Sequence, residues 1–381
     1  MRASQKQVQQ VWNYQASETT KRKSDRFVDF ICIFADTMKK ILLTISILIF
    51  ALNIEAQEND YIQMPNYDFE EWNHIGTKNE EPYRWHSFKT STGPFHYLLL
   101  QQVERHEATR PGSNGKYSAR IFSRSIVGIT ANGNLTNGRL NAGSMFPAGT
   151  KNNNYTQRNT EFCTEINKVP DSLTVWICLR TKNIDSYGRI MSYVHGDADF
   201  ICTTGGWEPY EMICAQVEHE FQRTSSMDED MRWERISIPF RTYKNIHHEP
   251  RYILTSFTTN RKAGEGDAGD EMFIDDLYLI YNPTLEVAIK EDGSETKNEI
   301  EIEFIIDGTM SPPNINLPPN DVIVQLALDK NFSNFVEIGK ITTNKSGSIR
   351  CKIPDAFVDK DYYIKVKTTN YPMESMIERH R

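Results

Sequence analysis

The chain has 381 residues and carries 43 Lys and Arg against 51 Asp and Glu, a formal net charge of −8. An acidic surface repels phosphate backbones, which sets nucleic acid aside as a partner. Length and a hydrophobic content of 39% allow a substantial core, in one large or two medium domains.

Residues 1–37 differ in character from the rest of the chain and read as a spurious extension outside the folded protein. Met38-Lys39-Lys40 opens a short basic region, and Ile41 to Ile54 is apolar except for Thr44, Ser46 and Asn53. Ala56 offers the small side chain that signal peptidase requires, so 38–56 reads as a signal peptide and Gln57 as the mature N-terminus. The apolar run falls short of the about 20 residues of a membrane span, and an uncleaved anchor is the alternative. Loss of eight basic and five acidic residues leaves 35 against 46, a net −11. The expectation is an exported protein, periplasmic or at the cell surface, with no membrane span in the mature chain.

After residue 56 helical periodicity is nearly absent; Leu98–Arg105 alone is ambiguous. Short alternating runs broken by Gly, Asn, Pro or Asp predict an all-β fold: a jelly-roll β-sandwich followed by a smaller immunoglobulin-like sandwich. Asn66–Trp72 and Met272–Tyr281 are acidic–aromatic segments, read as first and last strands of the jelly roll and neighbours in space. Between them, strands are predicted at Tyr117–Ser123, Ser172–Arg180, Arg189–Val194, Glu211–Glu218, Arg232–Pro239 and Arg251–Thr258. Gly128–Asn159 reads as long loops around one strand. Trp176 and Trp233 are expected in the core. Asn282-Pro283 marks a boundary, because Pro cannot continue a central ladder. The domains are therefore 57–282 and 283–381. The second has strands at Thr284–Ile289, Glu299–Ile306, Val322–Leu328, Ser348–Ile353 and Tyr362–Thr368.

Five cysteines remain after residue 56, at 163, 178, 202, 214 and 351, without the CxxC spacing of zinc or redox sites. Buried free thiols are the plain reading, and Cys202 with Cys214 is the best pair for a disulfide.

Candidate chemistry lies in three places. Glu70 with Asp275 and Asp276 would form a carboxylate rim if the bracketing strands pair, suited to a structural Ca²⁺ with its about 6 to 8 oxygen ligands; solvated strand ends are the alternative. The loop Gly205–Glu211 supplies Trp207 and Tyr210 to stack on sugar faces, and Glu208 and Glu211 to accept hydroxyls. Trp207 as a plug for the sandwich end is the competing reading. Gly133–Ser144 offers Asn134, Arg139 and Asn141 as further hydrogen-bonding groups, or plain turn chemistry. A hydrolase would need two carboxyls about 5 to 9.5 Å apart, and Asp197, Asp199, Glu208, Glu211, Glu218 and Glu220 crowd one region. His247-His248 reads as an exposed loop.

The stretch from Asp60 to Tyr281 resembles the PCMD family of secreted carbohydrate-metabolism domains. The resemblance rests on Asn66–Trp72, Gly133–Ser144, Val169–Trp176, Trp233–Phe240 and Phe273–Leu277. It implies a jelly roll similar to carbohydrate-binding modules and brings no catalytic set. Asn320–Leu326, Asn334–Gly339 and Tyr362–Lys367 resemble an immunoglobulin-like spacer. The leading expectation is a secreted, non-catalytic protein that binds an oligo- or polysaccharide. A glycoside hydrolase acting near the Gly205 loop, and a structural surface or adhesin protein, are the alternatives.

Overall fold

Alternating side chains, apolar inward and mixed outward, decide how each strand sits. The computed structural model describes residues 61–203, 212–243, 248–290, 298–310 and 318–379. Among these there is no α-helix, only 3₁₀ turns, and no helix long and apolar enough to cross a membrane.

The first sandwich contains β1 (Val103–His106), β2 (Ser118–Phe122), β3 (Arg124–Ile126), β4 (Ile129–Ala131), β5 (Asn134–Thr136), β6 (Arg139–Ala142) and β7 (Asn152–Thr156). It continues with β8 (Ser172–Thr181), β9 (Tyr187–His195), β10 (Phe200–Thr203), β11 (Ile213–Gln222), β12 (Glu234–Pro239), β13 (Tyr252–Thr258) and β14 (Glu271–Ile280). One sheet runs β12–β8–β14–β2–β1 and the other β11–β9–β13–β5, all antiparallel. From β11 to β14 successive strands alternate between the two sheets, as in a jelly roll. Leu173, Val175, Ile177 and Leu179 of β8 meet Ile190, Val194, Ile253 and Phe257 of the opposite sheet in a shared core.

The second sheet is apolar on both faces. Met191, Tyr193 and Leu254 point away from the main core and pack with Phe200 and Cys202 in a separate cluster. Their cover is a small sheet ordered β10–β7–β6. This third layer positions the candidate site.

The second sandwich is formed by β15 (Thr284–Lys290), β16 (Glu299–Asp307), β17 (Asp321–Ala327), β18 (Phe335–Thr342), β19 (Gly347–Lys352), β20 (Tyr362–Thr368) and β21 (Glu374–Arg379). Its sheets are β15–β16–β19 and β18–β17–β20–β21, closed over Ile302, Phe304, Val324, Leu326, Ile364 and Val366. Residues 61–381 form one compact unit. At the join, Tyr61 stacks on Tyr281 at 4.4 Å and hydrogen-bonds Asp307, while Lys168 lies 3.4 Å from the same carboxylate.

Several expectations are corrected. Asn66–Trp72 is not a strand: Asn66 and Phe69 have φ of 47° and 53°, and the Asn66 side chain bonds both Glu71 N and Glu71 O. It still lies against β14, where Leu277 N donates to Tyr67 O at 2.8 Å. In Leu98–Arg105 only Leu98 is in a 3₁₀ turn (His96–Leu98), and β1 begins at Val103; Gly128–Asn159 holds four short strands in place of one. Trp176 and Trp233 are only half-buried. Trp176 falls on the outward face of β8, out of phase with its core residues. No disulfide joins Cys202 to Cys214: both side chains are buried, and they belong to different clusters on opposite faces of the second sheet.

The five thiols after residue 56 should therefore react with Ellman's reagent only after unfolding, and a reductant should leave the melting temperature unchanged. A disulfide closing so short a loop would contribute about 3 kcal/mol, and its loss on reduction would lower the melting temperature by several degrees.

Candidate functional site

The carboxylate rim takes a different form from the one expected. β14 bulges opposite β8, with the register shifting between Thr174 and Trp176. Within the bulge Asp276 adopts φ 47°, a conformation that re-aims its side chain. Arg110, itself buried, donates from Nε to Asp276 Oδ2 at 2.5 Å and from its backbone N–H to Asp275 Oδ2 at 3.2 Å. Its guanidinium also sits 5.5 Å from the Trp176 ring, and Tyr278 donates to Asp276 Oδ1 at 3.0 Å. Burial, and then the neighbouring Asp276 charge, push the Asp275 carboxyl up to about 7. Glu70 is held elsewhere, accepting from Lys116 N and Tyr117 N at 2.8 and 2.9 Å. The three acids therefore do not fit a calcium ion: the Arg110 cation already compensates the aspartate pair. Among the described residues no group of three or more His, Cys, Asp or Glu is arranged to hold a metal.

The site that stands out is a cleft of about 160 Å³ on the outer face of the second sheet, beside the three-stranded cover. One wall comes from the turns carrying Phe88, Phe95 and Leu98, and another from the β3–β4 hairpin through Ile126, Val127 and Ile129. Met191 and Leu140 also line the cleft. The polar lining is almost all carboxamide: Asn132, Asn134, Asn141, Asn152, Asn153, Asn154 and Asn260. Several hold the walls in place, as Asn152 does for the loop 144–147 and Asn132 for residues 262–264. Asn134 and Asn154 face each other across β5 and β7 at 3.3 Å, each amide keeping further hydrogen-bonding capacity. Asn134 also begins a polar row through Thr258 and Arg189, aligned across β5, β13 and β9.

Arg189 is the one charged residue in the described lining. Its Nη1 lies 3.5 Å from Glu218, while its Nε–H is buried with no acceptor. Among the described residues no Asp, Glu, Lys or His lines the cleft.

Of the residues singled out in sequence, Asn134 and Asn141 lie in the cleft, on strands in place of the expected turns. Arg139 does not line it. Its guanidinium covers the Phe162 ring at 4.4 Å and donates to Thr90 O and Gln157 Oε1, both at 3.2 Å. Arg139 thus braces the turn bearing Phe88. That turn has a second anchor in Glu81, whose buried carboxyl accepts from Ser87 N at 2.6 Å and is pushed by burial up to about 7. Trp207, Glu208, Tyr210, Glu211 and His247 lie outside the described residues. The remaining crowded acids are each beside an arginine: Asp197 and Asp199 on Arg158, Glu218 on Arg189, and Glu220 on Arg261. Phe88, Phe95, Val127, Met145 and Arg189 were not singled out. For Met145 the available signal is the recurrence of Asn beside apolar residues between 132 and 154; Phe88, Phe95 and Arg189 lie outside that stretch.

No protein-family model and no curated protein matches the chain. Among solved structures, it is similar to a candidate glycoside hydrolase from Bacteroides thetaiotaomicron (15% identity, TM-score 0.38, 56% of this chain and 70% of that one). It is also similar to an adhesin domain of Lys-gingipain from Porphyromonas gingivalis (12% identity, TM-score 0.27, 58% of this chain and 98% of that one). A third likeness is to a tandem of CBM22 modules from Paenibacillus barcinonensis, at 8% identity and TM-score 0.25 over 81% of this chain and 90% of that one. At such values these likenesses carry no argument about ligand or reaction.

Replacing Arg110 by Met should destabilise the fold by about 3–5 kcal/mol in urea unfolding, because it strands two buried carboxyls. Asp275→Asn tests the protonation. A carboxyl raised in the folded state contributes stability that is complete below its unfolded pKa of about 4 and is lost as pH rises. Wild-type stability relative to the D275N variant should therefore fall between about pH 4 and 7; the opposite trend would contradict the assignment.

Proposed function

We propose that this protein binds glycans through the cleft and does not cleave them. The observation that carries the reading is the carboxamide floor beneath apolar walls. Amides donate to and accept from hydroxyls without charge, while ring C–H faces lie against apolar side chains. Hydrolysis of a glycosidic bond needs two carboxyls flanking the bond; Glu208 and Glu211, named for that role, lie outside the described residues. In this reading the chain is exported, with 38–56 as its signal peptide, and belongs with PCMD-like proteins. The jelly roll presents the site and the second sandwich spaces it.

A glycan array followed by isothermal titration tests the proposal. Binding of at least one neutral oligosaccharide is expected, weakened about tenfold by Asn134→Leu or Asn141→Leu, a loss of about 1.4 kcal/mol. Silence across neutral glycans, or release of reducing ends from a bound one, would overturn it.

A further inference from the structure

The β3–β4 hairpin is built against its own stability. Ile126 pairs with Ile129, which leaves Val127-Gly128 as a two-residue turn with both φ positive, at 51° and 76°. That turn geometry favours Asn-Gly, whereas a β-branched residue at positive φ is strained. Val127 is also 82% exposed, so no packing in the free protein offsets the strain. Strain held without a structural reward points to a contact made with something else. Val127 lines the cleft, and so does Met145, which is 53% exposed.

The volume of that cleft is informative. An apolar cavity of about 150 Å³ accommodates a benzene ring, and this cleft measures about 160 Å³. Its lining includes the aliphatic and phenyl side chains of Phe88, Phe95, Ile126, Val127 and Ile129, and Arg189 Nε–H lacks an acceptor. A bare sugar, hydroxylated all round its edge, would leave hydroxyls against the Val127 and Met145 walls.

We propose that the cleft recognises a glycan through an apolar substituent, one aryl ring or short alkyl chain carried on the sugar, and that Val127 is the residue that selects for it. The inference rests on the glycan reading above and deepens it. The sugar hydroxyls meet the asparagine floor, the substituent fills the apolar mouth, and an oxygen at the linkage accepts from Arg189 Nε.

The test is ligand-observed NMR titration of the full chain with methyl, phenyl and octyl β-glucosides, β-galactosides and β-xylosides, with phenol and octanol as controls. The expected result is a phenyl or octyl glycoside binding at least tenfold tighter than the methyl glycoside of the same sugar. Preference for phenyl identifies an aryl group, and preference for octyl an alkyl chain. Val127→Asn should raise the melting temperature by about 2 °C and cut the preference for the substituted glycoside to below threefold. Equal affinities for methyl and substituted glycosides, or binding by none, would overturn the proposal. If phenol or octanol binds as tightly as its glycoside, the recess is real but the sugar contributes nothing, and the glycan reading falls instead.

Discussion

The second sheet cannot face water. Met191, Tyr193 and Leu254 project from the side away from the main core, so a third layer has to cover them. β6, β7 and β10 provide it, and because that cover is only three short strands it leaves part of the sheet open. The candidate site is the uncovered remainder. Its floor is therefore set by strand register, with Asn134, Thr258 and Arg189 held in one row, and its walls by the turns carrying Phe88 and Phe95 and by the β3–β4 hairpin.

Much of the sandwich was legible from alternation. In β8 the core residues Leu173, Val175, Ile177 and Leu179 fall every second position, and in β20 Tyr362, Ile364 and Val366 do the same. The same periodicity, taken strictly, places Trp176 outside; bulk and apolar neighbours alone suggested the core. β6 and β7 were less legible because Asn is depleted from strands. In Asn152-Asn-Asn-Tyr-Thr the amides instead tie down the loop beside them. The edge strands β18 and β21 were not read as strands for a similar reason, since edge positions are largely exposed and need no apolar rhythm. For the site, Asn141 was readable as a hydrogen-bonding group, but its partners across the cleft come from turns far apart in sequence. Val127 carried no signal at all without its φ.

The aspartate bulge shows how a protein cation can take the place of a metal ion. Where an oxygen-rich rim invites a divalent cation, a guanidinium reaching from a neighbouring loop neutralises the pair and binds that loop to the sheet. Backbone N–H groups of the same loop hold Glu70. The acids expected to gather around an ion instead fasten a connection, and the information distinguishing the two was the position of Arg110.

The place of β14 has a kinetic consequence. It is the last strand of the first sandwich in chain order, yet it lies between β2 and β8, bonded on both sides. Phe122 waits for Glu271, and Ser172 for Ile280. Until the nascent chain has passed residue 280, two central edges stay open, and folding cannot proceed piecemeal from the N-terminal side. Such delayed, long-range closure makes for slow folding and a long interval in which unpaired strands are exposed to other chains.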